Sequence, residues 1–384
     1  ILRCLVGSEM CIRDRSYADL QEHRYYGNDV TVPGNQADVL DGTKIASPTQ
    51  AAYNRIRLGY DSIDSLDVTD AAGTTTKTSA NGSTVTISYN YTDTTGTTPV
   101  NKTGNMNVTV YDSYDKWLEA STKTPKSYDI ADGEAVLIRN TGEMVFSKTA
   151  ADTLSTNKAS LDISYTKTGF TNGELRPEYY YNCTNITDTN NKLKYEKYDK
   201  DGNQIYQDID YVVAANQTLT VNTEASNVFD HGLSRDVDEL IDAVQRSLDA
   251  EQKVTDLNAM KKMQEYSSDD CQAKLEEWIA AAEKERDYAN DNMQKLYNSY
   301  IGNCDTYLNK VNLALTDVGS KGQSLALTKN RMSNEQETME ELKSKNEDRE
   351  LSDIILEYTA AYTAYQSSLQ AASKVNQVTL LSYL

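Results

Sequence analysis

Apolar positions along the chain follow two different periods, and the change from one to the other falls near residues 225–233. Upstream, short runs alternate at every second residue. Ile56, Leu58 and Tyr60 alternate with Arg55, Arg57 and Gly59; Val85, Ile87, Tyr89 and Tyr91 alternate mainly with Thr and Ser; Met106, Val108 and Val110 follow the same rule. Successive side chains of a strand point to opposite faces, so each run predicts a half-buried strand. Turn residues between the runs predict hairpins. Asn140-Thr141-Gly142 joins residues 135–138 to 144–146, and Asp201-Gly202 joins 193–198 to 204–213. Residues 16–46 carry weak signals, and 114–120 suit a short helix.

Downstream the spacing becomes helical. Ser234 is a plausible N-cap, and Val237, Leu240, Ile241, Val244 and Leu248 predict an amphipathic helix to about residue 266. Residues 267–270 supply a turn and a second N-cap. Leu275, Ile279, Ala282, Ala289 and Met293 then hold one heptad register; after a shift at 296–301, Cys304, Val311, Val318, Leu325, Met332 and Met339 recur seven apart, with Leu308 and Leu315 between them. The spacing passes through Gly319 and Gly322, which predicts one helix over about 270–343, roughly 110 Å long at 1.5 Å per residue. A rod of that length needs lateral partners to cover its apolar seam. Residues 344–350 are charged, lack apolar anchors and suit a hinge.

The last segment, 351–384, reads as helical throughout and holds only Asp353, Glu357 and Lys374 as charged residues. Ile354, Ile355, Tyr358, Tyr362, Tyr365, Leu369, Val375 and Val378 are spread round this helix, and the chain closes through Leu380, Leu381 and Leu384. Its interspersed Gln and Asn make it too polar for a bilayer span. Packing among copies or partner subunits would hide it, so these eleven residues form the expected assembly interface.

Proline and glycine usage supports the same division. All five Pro lie at or before position 177, and after Leu233 the only Gly are 302, 319 and 322. The fold class expected is α+β: a β-rich outer domain over 16–228, a helical rod over 229–343, and a hinge with a terminal assembly helix over 344–384. Residues 1–15 resemble a translated sequencing adapter and are expected to be extraneous to the fold, which would leave the remainder a fragment.

A net charge of −20 opposes nucleic-acid and anionic-membrane binding, which need clustered Lys and Arg, and suits a self-repelling subunit. Cysteines at 4, 11, 183, 271 and 304 show no CxxC spacing. On one helix, Cys271 and Cys304 would stand about 50 Å apart, so neither a disulfide framework nor a zinc cluster is supported. His23 and His231 are the only histidines, and no nucleophile elbow, zinc-protease, phosphate-loop or dinucleotide motif appears. No catalytic, cofactor or metal residue is therefore expected. Asp199-Lys200-Asp201-Gly202-Asn203 opens like a calcium loop, but its Gly stands fourth rather than sixth and suits a hairpin.

Residues 309–319 (NKVNLALTDVG), the polar stretch 344–351 and residues 365–375 (YQSSLQAASKV) leading to Leu380-Leu381-Ser382-Tyr383-Leu384 together resemble the C-terminal part of the flagellin superfamily. Residues 54–63, 169–184 and 214–229 look like the β domain of clostridial members. The resemblance implies flagellin-like antiparallel coiled-coil helices and a structural, non-enzymatic subunit of the bacterial flagellum. It also implies export through the flagellar type III apparatus, a chaperone on the C-terminal helix, and a homo-oligomeric ring between the first hook-associated protein and the flagellin filament, without nucleic acid or membrane insertion. One departure is that the family's long N-terminal helices, which pair with the C-terminal ones, are not found in this sequence. The alternatives are filament flagellin, another hook-associated protein, or a secreted adhesin whose β domain binds a surface glycan or receptor, which an exposed aromatic patch among the Tyr of residues 85–211 would favour.

Overall fold

The computed structural model describes residues 8–70, 72–93, 99–171, 173–188, 190–199, 203–214, 217–230, 232–347 and 350–377. It is an α+β protein in which a β-rich region precedes long helices. In chain order the strands of the main sheet are β1 (Ser8–Ser16), β2 (Gln21–Gly27), β3 (Thr49–Arg57), β4 (Ser65–Thr69), β5 (Thr75–Thr78) and β6 (Ser83–Asp93). They continue with β7 (Val100–Tyr111), β8 (Ala135–Ile138), β9 (Glu143–Phe146), β10 (Ser160–Lys167), β11 (Asn182–Asn185) and β12 (Leu193–Tyr195). A separate hairpin pairs β13 (Asp210–Ala214) with β14 (Gln217–Thr220). The helices are α1 (Gln36–Leu40), α2 (Tyr114–Glu119), α3 (Lys148–Thr156), α4 (Ala225–Val228), α5 (Gly232–Lys261), α6 (Asp269–Glu347) and α7 (Leu351–Gln377).

The twelve strands run in the order β12-β11-β1-β10-β6-β7-β8-β9-β3-β2, with β4 branching from β10 and carrying β5. Pairing is antiparallel except between β7 and β8. β1 lies inside the sheet, its backbone paired with β10 and β11. Residues 8–15, expected to stand apart from the fold, thus supply a strand that bridges two others.

The predicted alternation places strands correctly and misjudges which faces are dry. Ile56, Leu58, Val108, Leu137, Met144 and Phe146 enter one core together with Leu161 and Ile163. Val136, Ile138 and Val145 face the opposite way, against Tyr25, Trp117 and Tyr128. Both faces of β8 and β9 are therefore covered, which explains their short, continuous apolar runs. Along the β6–β7 ladder Tyr89 sits opposite Gly104, and its ring covers the space where a Cβ would stand. The helix expected at 114–120 forms as α2, with the Ser113 hydroxyl accepting from the Lys116 N–H.

The hairpin expected across Asp201-Gly202 forms only in part. A single bridge joins Tyr198 to Gln204, while β12 pairs with β11 and β13 pairs with β14. The amide of Asn182 captures the Lys197 and Tyr198 N–H groups at 2.6 and 2.8 Å, so those donors are not offered to a partner strand.

Helices α5 and α6 form an antiparallel pair. Ser247 bonds Asn290, Lys253 meets Glu285 and Lys261 meets Glu276, so positions fall along α6 as they rise along α5. Small buried residues, Ala243, Ser247 and Ala250 on α5 with Ala282 and Ala289 on α6, let the backbones approach. The Asp230 carboxylate accepts from Gly232 N–H, so α5 opens two residues before the Ser234 expected to cap it. Ser268 caps α6 as predicted, its hydroxyl accepting from Cys271 N–H. That helix continues through Gly302, Gly319 and Gly322, as the uninterrupted heptads require.

Two compact units partition the chain, residues 1–207 with 223–314 and residues 208–222 with 315–384. The packing thus divides the chain elsewhere than the composition change near 228. In the first unit, Val30 and Val39 share a core with Val254, Leu257, Leu275 and Trp278. The Glu285 carboxylate accepts from Val30 N–H at 2.6 Å, and Trp278 donates to the Val39 carbonyl at 3.2 Å. In the second, Lys321 and Arg331 of α6 donate to the carbonyls of Asn222 and Val213, which holds the β13–β14 hairpin to the helix.

The turn after β8 offers a direct test of the sheet. Gly142 has φ +60°, and a Cβ there would collide with the Tyr60 carbonyl; Gly133 has φ +76° with open space around it. Gly133→Ala is expected to cost about 1–2 kcal/mol, the penalty of left-handed backbone alone. Gly142→Ala should lower the urea midpoint further, because the backbone must also move.

Candidate functional site

The C-terminal helix α7 is built to be helical before it meets anything. It contains neither Gly nor Pro, Asp353 lies in its first turn and Lys374 in its last, and both charges oppose the helix dipole favourably. From Leu351 to Val375 every side chain is exposed, Tyr358 at 69% and Val375 at 77%.

The helix corrects one expectation. At 100° per residue, Ile354, Ile355, Tyr358, Tyr362, Tyr365 and Leu369 fall within a sector of about 100°, a single stripe rather than a distribution round the barrel. Positions 355, 358, 362, 365 and 369 alternate by three and four, the spacing of a coiled-coil seam. Val375 lies off this stripe. Val378, Leu380, Leu381 and Leu384 lie outside the described residues. Tyr358 and Tyr362 stack with ring centroids 6.1 Å apart.

Off the stripe, hydroxyls bond to the helix's own backbone. Thr359 donates to the Ile355 carbonyl, Thr363 to Thr359, Ser367 to Thr363 and Ser368 to Ala364. Such bonding four residues back satisfies each hydroxyl without water. That side also carries several Ala, with Leu356, Gln366 and Gln370 among them.

The helix α6 behaves differently along its length. Cys271, Leu275, Trp278, Ala282, Ala289, Leu296 and Tyr300 are buried, whereas Leu315, Val318, Leu325, Met332 and Met339 are exposed by 43–69%. After the register shift these later heptad positions stay exposed, although Tyr307 still bonds Asp236 and the β13–β14 hairpin is held to this stretch.

A second arrangement lies in the first unit. Arg55 of β3 is only 1% exposed, and its guanidinium meets Glu143 of β9 at 2.9 Å and Glu239 of α5 at 2.6 Å. Tyr300 of α6 accepts from Arg55 at 3.0 Å and donates to Glu239. Arg57 pairs with Asp236, which also accepts from Asn303 and Tyr307 at 3.0 Å. His23 completes the cluster, 3.7 Å from Glu239. Alternation in β3 had placed Arg55 and Arg57 on a solvent face; instead the helix pair covers that face. The readable signal was the acidic pair Asp236 and Glu239, one turn apart at the start of an amphipathic helix.

Burial works to raise the Glu239 carboxyl, but Arg55, Arg57 and the Tyr300 hydroxyl outweigh it and hold it down at about 2. Burial and the neighbouring Arg55 push His23 well below its ordinary value, so it stays neutral. The phenols of Tyr25 and Tyr114 are raised by burial and by Glu143. These groups stabilise one another.

Cys183 and Cys271 are buried, and Cys271 accepts from the Gln36 amide at 3.4 Å. His231 and the turn Asp201-Gly202 lie outside the described residues. Among the described residues no three of His, Cys, Asp and Glu gather to hold a metal ion, and no helix is long and apolar enough to cross a membrane. No protein-family model matches the chain, and no curated protein or solved structure matches it either.

Removing one member of the ionic cluster leaves buried guanidinium groups unmatched. Glu239→Gln should destabilise the first unit by about 3–5 kcal/mol in urea unfolding. The cluster also fixes a pH dependence. The unfolded chain takes up protons on His23 and Glu239 more readily than the fold does, since their ordinary values are 6.5 and 4.5. Stability should therefore be complete above these values, decline below about pH 6.5 and fall more steeply below about pH 4.5. His23→Gln should flatten the first decline only.

Proposed function

We propose that the chain is a structural assembly subunit of the bacterial flagellum, of the kind found at the hook-filament junction, where hook-associated protein three forms a ring. The observation that carries this reading is α7, a helix whose seam of Ile355, Tyr358, Tyr362, Tyr365 and Leu369 is uncovered and whose other side has satisfied its own hydroxyls. Contiguous exposed apolar surface of this kind marks an interaction site. Each Leu, Ile or Tyr removed from water contributes on the order of 1.5–3 kcal/mol, so a few suffice to hold neighbouring helices together. The open heptads of α6 beyond Tyr300 offer a second seam for lateral contact.

In this reading the chain has no catalytic task. It is exported through the flagellar type III apparatus to the cell exterior, with a chaperone covering the C-terminal helix until assembly. Its partners are copies of itself, the first hook-associated protein and the flagellin filament. The net charge of −20 keeps subunits apart in dilute solution, and burial of the seam overcomes that repulsion at the growing structure.

Two measurements test the reading. In sedimentation velocity the full chain should associate reversibly as concentration rises, and the double variant Tyr362→Asp with Leu369→Asp should stay monomeric without a change in urea midpoint. On purified hooks bearing the first hook-associated protein, the full chain should add to the tip and a chain ending at Leu351 should not. A chain that remains monomeric with α7 protected from hydrogen exchange would overturn the assembly reading, and tip addition by the shortened chain would overturn the junction assignment.

A further inference from the structure

A cleft of about 680 Å³ opens in the first unit, where the turn after β1, the loops beyond β11 and the first turn of α5 meet α6 near Tyr307. That volume lies within the range of small-molecule sites, about 300–1,000 Å³. Nothing in the assembly reading requires it.

The local charge is the reverse of the chain's. Four cations line the cleft, Arg15, Arg57, Arg235 and Lys310, against the carboxylates of Asp19 and Asp230. Three of the cations are matched. Arg15 lies 3.8 Å from Asp19, Lys310 lies 2.9 Å from Asp230, and Arg57 meets Asp236 and Glu239 behind the wall. Arg235 differs, since its two terminal nitrogens donate to the carbonyls of Leu58 and Thr141 and it forms no ion pair among the described residues. A guanidinium has five N–H donors, so donors remain after these two bonds. Burial and the like charge of Arg57 press Arg235 below its ordinary value, against the opposing pull of the Glu143 and Asp61 carboxylates.

The remaining walls suit a hydroxylated ring. Tyr180 is held in place by donating to the Phe229 carbonyl at 3.1 Å, and Tyr206 is 57% exposed. Gln204 donates to Asn227 at 2.6 Å, which presents a fixed pair of amides on the cleft wall. Phenol rings accept the C–H face of a sugar, and amides bond its hydroxyls. One guanidinium with no carboxylate in contact fits one carboxylate of a ligand. A nucleotide or polyphosphate brings several negative charges, more than the one cation that has no carboxylate in contact can match.

We propose that this cleft binds an acidic carbohydrate, with a uronate carboxylate on Arg235 and the sugar ring against the tyrosine and amide wall. The test is calorimetric titration of the full chain with digalacturonate, a neutral digalactoside, inorganic phosphate and a nucleoside triphosphate. Digalacturonate should bind saturably, the neutral digalactoside at least about tenfold more weakly, and phosphate and nucleotide not at all. Lys310→Met removes the cation paired with Asp230 and should weaken digalacturonate binding, whereas Asp230→Asn should strengthen it. Tyr206→Ala, at an exposed position, should weaken binding of the acidic sugar with the urea midpoint unchanged. Equal affinity for the neutral sugar, binding of phosphate or nucleotide as tight as that of digalacturonate, no saturation by digalacturonate, or opposite signs for the Lys310 and Asp230 variants would each overturn the proposal.

Discussion

The first unit depends on Arg55. Its guanidinium, almost wholly withdrawn from water, is held by Glu143 from the sheet and Glu239 from α5, with Tyr300 of α6 closing the arrangement. Desolvating such a charge costs several kcal/mol unless the geometry of its partners is good, so sheet and helix pair must meet in one register. Arg57 with Asp236 repeats the constraint one strand step along. An apolar interface of the same area would tolerate sliding; this one does not, because a displaced helix leaves buried charges without partners. Registration of the helix pair on the sheet is thereby specified by electrostatics and filled in by packing at Val30, Val39, Trp278 and Leu257.

The same logic separates the two ends of the helical region. Up to Tyr300, α6 spends its apolar positions on α5 and on the chain between β2 and β3. Past that point Leu315, Val318, Leu325, Met332 and Met339 stay exposed although the β13–β14 hairpin is held to the same stretch, and α7 repeats the condition with a narrower stripe. Within one chain, then, the same sequence device serves internal packing first and leaves a surface for other molecules later. The proposal of a structural subunit rests on that contrast rather than on any constellation of reactive groups.

The sequence makes periodicity legible and partnership hard to see. The long helix was readable through its glycines because heptads at 304, 311, 318, 325, 332 and 339 kept step, and the strand around Ile56 was readable from its alternation. What alternation could not tell is what covers the polar face: Arg55 and Arg57 looked like solvent residues because their acidic partners lie about 180 positions away. β2 was obscured for a related reason, since His23 and Arg24 interrupt its apolar signal and His23 is buried only through the ionic cluster. The pairing of residues 193–213 was misjudged because one side chain, Asn182, took the donors that a hairpin would have used. The stripe on α7 is legible in the sequence only when residues are placed at 100° per position, because Leu356 and Val375 off the stripe blur the pattern of residue types. The cleft was not legible at all, because its walls come from segments some 290 residues apart.

The back-bonded hydroxyls of α7 have a consequence for how the helix chooses its neighbours. A Ser or Thr that looks outward must exchange water for a new partner on burial, and that exchange selects for complementary donors. Here Thr359, Thr363, Ser367 and Ser368 keep the same bonds in water and in a dry interior. Transfer between the two media leaves these four hydroxyls unchanged, so they add nothing to the discrimination among neighbours. A helix of this type can be handed from one groove to another without remaking those four bonds, and its phenols and amides alone must find new partners.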